Sequence, residues 1–472
     1  MNEKAKKLFK NLRYTVTANF LVLGISVVLN LFVPKFLGVS EYGFWPLYVF
    51  SSSDVSFFHL GWIDGIYLKI GGFDYNRLDK ENLGSQFWYL SFFQSFLAMI
   101  LATYSIFFVH NFNKSIILVF TAIALIAMNL KTFVLYILQS TNRIREYAQV
   151  SKNDRYIYVV GVVIYLILGG RSYGPLIMWD LISKILITLW GVNRVKDLVF
   201  TKLRTFSNTL PEIVDNIKIG SNLMISNLAN ILIVGVFRLL VEKEWSIEVF
   251  GKLSFTLSIS NMFMTFINAV GVVMFPLLRR TNTKNLPSLY VHIREVFVPL
   301  TFVILLFFNP VKVILSLWLP QYKESLFFMG ILFPMIVYEG RMSLLVNTYL
   351  KTIRKERAIL VSNLSTLVLV VITSYTTVFV LQSIEATVFA IILCLIFRCV
   401  LAETLLSKIM KIELKFDLFK ELIMTFVFIG TNMTMGNLVS FLVFIVFLLL
   451  YLVVNFGKIR MSSNYLLKLM KE

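Results

Sequence analysis

The sequence predicts an all-α membrane protein of about 14 transmembrane helices, arranged as two six-helix lobes and a C-terminal helix pair. Hydrophobic residues make up 58% of the 472 residues, and the mean hydropathy is +0.78. The apolar residues form blocks of about 20, which at about 1.5 Å per residue span a hydrocarbon core of ~30 Å. Residues 441–454 are apolar on every face, which excludes the alternating strands of a β-barrel.

Short polar segments separate the predicted helices. The helices cover residues 14–36, 43–68, 86–109, 115–139, 156–170, 174–193, 217–238, 249–276, 295–318, 324–350, 358–381, 385–407, 418–435 and 438–456. The N-terminal lobe would comprise residues 1–205 and the C-terminal lobe residues 206–412. The helix pair and a basic tail would comprise residues 413–472. Helix 418–435 has only a short apolar stretch. We include it as a span because, without it, the basic C-terminal tail would lie outside the cell.

The net charge of +19 follows from the placement of the 45 Lys and Arg residues. Every loop predicted to face the cytoplasm contains several of them, and the loops on the other side contain few. This asymmetry is typical of inner-membrane proteins and places both termini in the cytoplasm. We therefore expect no nucleic-acid partner. The first apolar run is long enough to remain as a helix, so we expect no cleavable signal peptide.

Neither a cofactor nor an enzymatic activity is predicted. The two cysteines, Cys394 and Cys399, are too few for a disulfide framework or a metal site. The sequence has no Gly-Lys-Ser/Thr phosphate loop, so ATP is not the direct energy source. The outer loops are too short for the catalytic domain of a polymerase or ligase that acts on lipid-linked sugars.

Two local motifs and a weak internal repeat indicate a transporter. The pairs Tyr42-Gly43 and Phe250-Gly251 occur at the start of corresponding helices in the two halves, as in transporters whose halves enclose a central cavity. Residues 37–48 (LGVSEYGFWPLY) and 60–72 (LGWIDGIYLKIGG) resemble the second-helix region of the bacterial polysaccharide transporters. These are the O-antigen and capsule repeat-unit flippases of the multidrug/oligosaccharidyl-lipid/polysaccharide exporter superfamily.

This resemblance implies a flippase of the bacterial cytoplasmic membrane that moves an undecaprenyl-pyrophosphate-linked oligosaccharide by alternating access. Its partners would be the lipid-linked substrate, membrane lipids and the polysaccharide polymerase machinery. Most repeat-unit flippases have twelve helices and lipid II flippases have fourteen, so a lipid II-type flippase is an alternative. Two further alternatives are a drug or cation antiporter of the same superfamily, which would have an acidic cavity, and a non-transport scaffold.

Polar side chains within the predicted helices are the candidate substrate ligands, because a bilayer disfavours such groups unless they are paired or hydrated. Arginine presents paired donors to phosphate oxygens, and asparagine both donates to and accepts from sugar hydroxyls. The candidates are Asn19, Asn30, Asp54, His59, Asp64, Asn222, Asn227, Arg238, Asn268, Arg341 and Arg398.

The second predicted helix contains three of these candidates. In a continuous helix Asp54, His59 and Asp64 would be about 140° apart at each step and would form no single stripe. These three side chains could line a hydrated wall of the transport cavity. Alternatively, Asp64 accepts hydrogen bonds from a neighbouring helix and has a structural role.

The two buried arginines also have a structural interpretation. Glu339 is near Arg341 in the sequence and Glu403 is near Arg398, so each arginine could be neutralised within its own helix. Lys131 is a weaker candidate. Asp180 and Lys184, spaced i, i+4, are interpreted as a structural ion pair.

Overall fold

A computed structural model of the protein describes the backbone of residues 24–280 and 283–471. Side chains are described in the same ranges except at 266, 268–277, 279, 280, 283, 415, 416 and 469–471. The described residues form helices and no strand, which confirms the predicted fold class. Eight described helices are long and apolar enough to cross a membrane, or nine if one bent pair counts as a span. The predicted number of 14 stays a prediction.

The chain divides into two compact units, which we call the N-terminal unit (Met1–Leu228) and the C-terminal unit (Ala229–Glu472). The division falls inside the long helix α9, whereas the predicted lobe boundary precedes that helix. The N-terminal unit contains α1 (Gly24–Leu37), α2 (Val39–Asp54), α3 (Trp62–Ile70), α4 (Lys80–Phe108), α5 (Phe112–Ser140), α6 (Ile144–Ile167), α7 (Tyr173–Arg194), α8 (Lys196–Val199) and the first part of α9 (Phe206–Glu244).

The predicted single helix 43–68 is wrong, because the chain breaks between α2 and α3. A 3₁₀ turn at Val55–Phe57 follows α2, and Leu60 and Gly61 have φ angles of 57° and 83°. The left-handed region is favourable for glycine and unfavourable for leucine, so the helix cannot continue through this pair. The break rotates α3 relative to α2, and the side chains on either side of it no longer follow one helical wheel.

The predicted start of helix 156–170 is also wrong. Helix α6 begins at Ile144, just after Arg143, whose guanidinium binds the carboxylate of Glu146 in the first turn. An acidic side chain in the first turn is favourable because it interacts with the positive end of the helix dipole. Consequently Asp154 and Arg155, which the sequence places in a cytoplasmic loop, lie on a helix.

Among the described residues, the C-terminal unit contains the end of α9 and ten further α-helices, several of which are interrupted. They are α10 (Ile247–Arg280), α11 (Leu286–Leu305), α12 (Phe308–Trp318), α13 (Ser325–Leu332), α14 (Met335–Arg341), α15 (Asn347–Thr352), α16 (Glu356–Tyr375), α17 (Ile384–Met410), α18 (Lys415–Thr434) and α19 (Asn437–Lys471). The chain bends by 42° between α13 and α14, next to Pro334, which lacks a backbone N–H. A π-helical turn, Met342–Val346, joins α14 to α15.

Large apolar side chains cover much of the outer surface of both units. Phe107 is 73% exposed on α4, and Leu438 and Val453 are each 72% exposed on α19. An apolar surface of this kind is unfavourable in water and favourable in a bilayer. The protein is therefore a multi-pass membrane protein, and its polar interior groups are the natural candidates for function.

Candidate functional site

The N-terminal unit contains a group of buried charges on three packed helices. Lys131 on α5 donates to Asp154 of α6 across 2.6 Å. On α7, Lys184 binds Asp180 one turn away, which confirms the predicted i, i+4 pair. Arg155 of α6 lies 4.0 Å from Asp180. We call these residues the N-terminal charge cluster: Lys131, Asp154, Arg155, Asp180 and Lys184.

Cations outnumber carboxylates by three to two in this cluster. Lys131 is within electrostatic reach of both Arg155 and Lys184, so the three cations act on one region. The side chains of Lys131 and Lys184 are only 13% and 9% exposed, whereas that of Arg155 is 48% exposed. The two buried lysines are balanced by Asp154 and Asp180, so the excess positive charge lies at the half-exposed Arg155, where an anion can reach it.

Tyrosine side chains from two further positions complete the cluster. The hydroxyl of Tyr48 on α2 donates to Asp180 across 3.0 Å, and the Lys184 ammonium lies 5.4 Å from the centre of the Tyr48 ring. Tyr158 of α6 is fully buried and stacks on Trp45 at 5.4 Å. Both Trp45 and Tyr48 belong to the motif 37–48, so this motif packs against the cluster.

The break between α2 and α3 brings two of the predicted residues together. His59 Nε2 lies 3.7 Å from Asp64 Oδ2, and the backbone N–H of Gly61 donates to His59 Nδ1 across 3.1 Å. Tyr136 of α5 donates to Asp64 Oδ1 across 3.4 Å. The expectation that His59 and Asp64 point apart is therefore wrong, because it assumed a continuous helix. Asp54, at the end of α2, is half-buried.

Asp64 also lies at a very close contact between two helices. A Cβ on Gly65 would lie 1.9 Å from the backbone oxygen of Asn216 on α9, and one on Gly220 would lie 2.0 Å from the oxygen of Gly61. Only residues without a side chain permit this approach of two backbones. The motif 60–72 thus fixes α3 against α9 within the N-terminal unit.

In the C-terminal unit, Arg341 belongs to a buried network of two arginines and two glutamates. Arg294 Nε donates to Glu403 across 2.7 Å, and Arg294 Nη2 lies 2.7 Å from Glu421. Arg341 Nη1 lies 3.2 Å from Glu403 and also binds Glu421. All four side chains are at most 4% exposed. We call Arg294, Arg341, Glu403 and Glu421 the C-terminal charge network, and it is electrically neutral.

The predicted local pairing of the two arginines is wrong. Arg341 binds Glu403 and Glu421 on α17 and α18, and Arg398 binds Glu339 on α14. Residues two or five positions apart lie on different sides of a helix, so neither Glu339 nor Glu403 can face the arginine of its own helix.

Arg398 has a partly open environment, unlike Arg341. Its guanidinium binds Glu339, whose side chain is 21% exposed, and the amide oxygen of Asn230, which is exposed on α9. The Nε of Arg398 has no hydrogen-bond partner among the described residues. A guanidinium with a spare donor beside exposed polar groups can accept an additional oxygen ligand.

The remaining predicted ligands are distributed over several helices. Asn30 is half-buried on α1, and Asn222 and Asn227 are exposed on α9. Arg238 on α9 donates to Ser254 across 3.1 Å. Asn19 and the side chain of Asn268 lie outside the described residues.

Sequence reasoning missed Arg294 and Glu421 as interior charges and Arg155 as a member of the N-terminal charge cluster. Arg294 appeared to belong to a basic loop, but it lies on α11 and is 3% exposed. Each of these charges is paired with a residue of opposite sign more than 20 residues away in the sequence. Such long-range pairs cannot be identified from one sequence, so no signal for them was available. No group of three or more metal-ligating side chains occurs in the described part of the chain.

Comparisons with solved structures identify the fold. The lipid II flippase MurJ in an inward closed conformation matches with a TM-score of 0.66 and 15% identity, over 93% of this chain and 97% of that chain. An inward-facing multidrug resistance MATE family transporter of the MOP superfamily matches with a TM-score of 0.57 and 11% identity, over 83% and 96%. No protein-family model and no curated protein matches the sequence. The chain therefore has the fold of the MOP-superfamily transporters.

Proposed function

We propose that the protein is a flippase that moves an undecaprenyl-pyrophosphate-linked oligosaccharide across the bacterial cytoplasmic membrane for surface polysaccharide biosynthesis. The observation that carries this proposal is the positive excess of the N-terminal charge cluster. Lysine and arginine side chains are the groups that bind phosphate oxygens, and they bind more strongly where water is scarce. A substrate with a pyrophosphate would supply the anion that this cluster lacks.

The substrate would enter from the cytoplasmic leaflet, and its prenyl chain would stay in lipid. In the N-terminal unit, the positively charged cluster would bind the pyrophosphate, and the asparagines of α1 and of the first part of α9 would bind sugar hydroxyls. A change between inward-open and outward-open states would then present the headgroup to the polymerase machinery outside. We assign the substrate-binding role to Arg398 rather than Arg341, because Arg341 already has two carboxylate partners in a neutral network.

Deletion of the gene tests this function. Radiolabelled or mass-tagged lipid-linked repeat units should accumulate, and in spheroplasts they should resist a membrane-impermeant glycosidase because they stay on the cytoplasmic leaflet. Normal surface polysaccharide in the deletion strain would refute the proposal. A C-terminal GFP fusion should fluoresce, and a C-terminal alkaline phosphatase fusion should be inactive, if the terminus is cytoplasmic.

A lipid II-type flippase is the second candidate, and the likeness to MurJ supports it. The two candidates differ in the cell. A lipid II flippase should restore growth to cells depleted of their own lipid II flippase, whereas a repeat-unit flippase should restore only surface polysaccharide. A drug or cation antiporter would be favoured by an excess of carboxylates, and the N-terminal charge cluster has the opposite balance.

A further inference from the structure

A cavity of about 240 Å³ lies at one end of the N-terminal unit, away from the N-terminal charge cluster. Helices α3, α4 and α9 and the segment between α3 and α4 form its walls. Its mouth is marked by Phe73, which is 56% exposed, and by the exposed side chain of Arg77. Its inner end is formed by Ile66, Gln86 and Asn216, which are at most 2% exposed. This volume is equivalent to about eight water molecules, which is room for one sugar residue.

The charges around the cavity do not select an anion. Lys69, on the wall, binds Glu212 across 2.7 Å and Asp215 across 2.6 Å. Arg77 lies 3.8 Å from Asp74. Both cations of the lining are therefore neutralised by neighbouring carboxylates, and a phosphate would meet these carboxylates as well. Because the charges of the lining are already paired, an uncharged ligand is more favourable here than an anion.

The amides at the inner end of the cavity hydrogen-bond to one another and leave one acceptor without a donor among the described residues. Asn216 Nδ2 donates to Gln86 Oε1 across 2.9 Å, and Gln86 Nε2 donates to Asn82 Oδ1 across 3.0 Å. This chain of amides leaves Asn216 Oδ1 as a buried acceptor with no donor within the described part of the chain. A buried acceptor without a donor costs about 1–3 kcal/mol, so a hydroxyl that reaches it would be favourable.

We propose that this cavity binds one uncharged, hydroxyl-bearing sugar residue. Carboxylates and amides pair with sugar hydroxyls, while Phe73 and the apolar side chains of Ile66 and Ile70 contact the C–H faces of the ring. If the proposed function holds, on which this step rests, the sugar belongs to the lipid-linked oligosaccharide. The cavity is then the subsite where its headgroup first docks.

Binding is measured with the full-length protein in nanodiscs, using methyl β-glucoside and methyl N-acetyl-β-glucosaminide as neutral probes and glycerol 3-phosphate as the anionic probe. Millimolar glycoside should raise the thermal unfolding midpoint of the wild-type protein, and glycerol 3-phosphate should not. Asn82→Phe, which fills the cavity, and Asn82→Ala, which breaks the amide chain, should each weaken glycoside binding at least about tenfold. Ser207→Phe, at an exposed position outside the lining, should bind like the wild type.

Two results would overturn the inference: glycosides that stabilise Asn82→Phe as much as the wild type, or stabilisation by glycerol 3-phosphate alone. The assay contains no lipid-linked substrate, so it is independent of the export experiment. If glycosides bind but no intermediates accumulate in the deletion strain, the proposed function is refuted and the sugar-binding site still stands. Accumulated intermediates without any glycoside binding would refute this site alone.

Discussion

Replacing Glu403 by glutamine should destabilise the C-terminal unit by about 3–5 kcal/mol. The Glu403 carboxylate is fully buried and accepts from Arg294 Nε at 2.7 Å and from the hydroxyl of Tyr290 at 2.6 Å. Glutamine has nearly the same shape but no charge. Two guanidinium groups would then face Glu421 alone, and the buried network would have a net charge of +1.

Thermal unfolding of the purified protein in nanodiscs measures this effect. Because 1 kcal/mol shifts the midpoint by about 2–4 °C for a unit of this size, the expected decrease is roughly 6–20 °C. Glu324→Gln is the control: that carboxylate is 79% exposed in a pair with Lys252, so its replacement should leave the unfolding midpoint close to that of the wild type. The double variant Glu403→Gln/Arg294→Gln restores neutrality and should cost less than the sum of the two single variants.

A midpoint for Glu403→Gln within 2 °C of the wild type would refute this reasoning, using the same ~2–4 °C per kcal/mol. Strict additivity in the double variant would also refute it, because the four side chains would then not act as one network.

The remaining predictions concern the N-terminal unit. Lys131→Met should abolish export of lipid-linked repeat units while membrane insertion stays normal, and wild-type export would remove Lys131 from the site. Gly65→Ala should lower stability by about 3 kcal/mol because its Cβ meets backbone, whereas Gly174→Ala, with no atom within 4 Å, should not. Equal midpoints for the two glycine variants would contradict the close helix contact. Hydrogen bonds from Arg143 lower the pKa of Glu146, so this pair stabilises the protein at neutral pH, and the stabilisation is lost as the pH falls through that lowered pKa. Glu146→Gln, which keeps the other contacts of Arg143, should therefore unfold earlier than the wild type at neutral pH and together with it in acid; a constant difference across pH would exclude this cause.

The positions of most helices could be predicted from the sequence because each apolar block must satisfy its backbone hydrogen bonds within a helix. The predicted blocks 115–139 and 385–407 lie inside α5 and α17. The break at Leu60 and Gly61 could not be predicted, because the hydrophobic pattern continues through it. This break decides where His59 and Asp64 lie, and so the error in one helix became an error in the candidate site.

The charged interior was the least predictable part. A basic residue near a helix end is equally consistent with a loop and with a buried ion pair, and Arg294 is the second case. The difference depends on Glu403 and Glu421, which are more than 100 residues away in the sequence. Loop asymmetry accounted for the basic composition, but it also hid the interior arginine.

The central claim is that the positive excess of the N-terminal charge cluster binds a pyrophosphate-linked substrate during translocation. Proteoliposomes with the purified protein and a lipid-linked repeat unit test it, with an impermeant glycosidase that reports the substrate in the outer leaflet. We predict that the wild-type protein exposes substrate well above empty liposomes and that Lys184→Met, which removes the excess charge, reduces the rate at least about tenfold. Equal rates for the wild-type protein and Lys184→Met would contradict the claim.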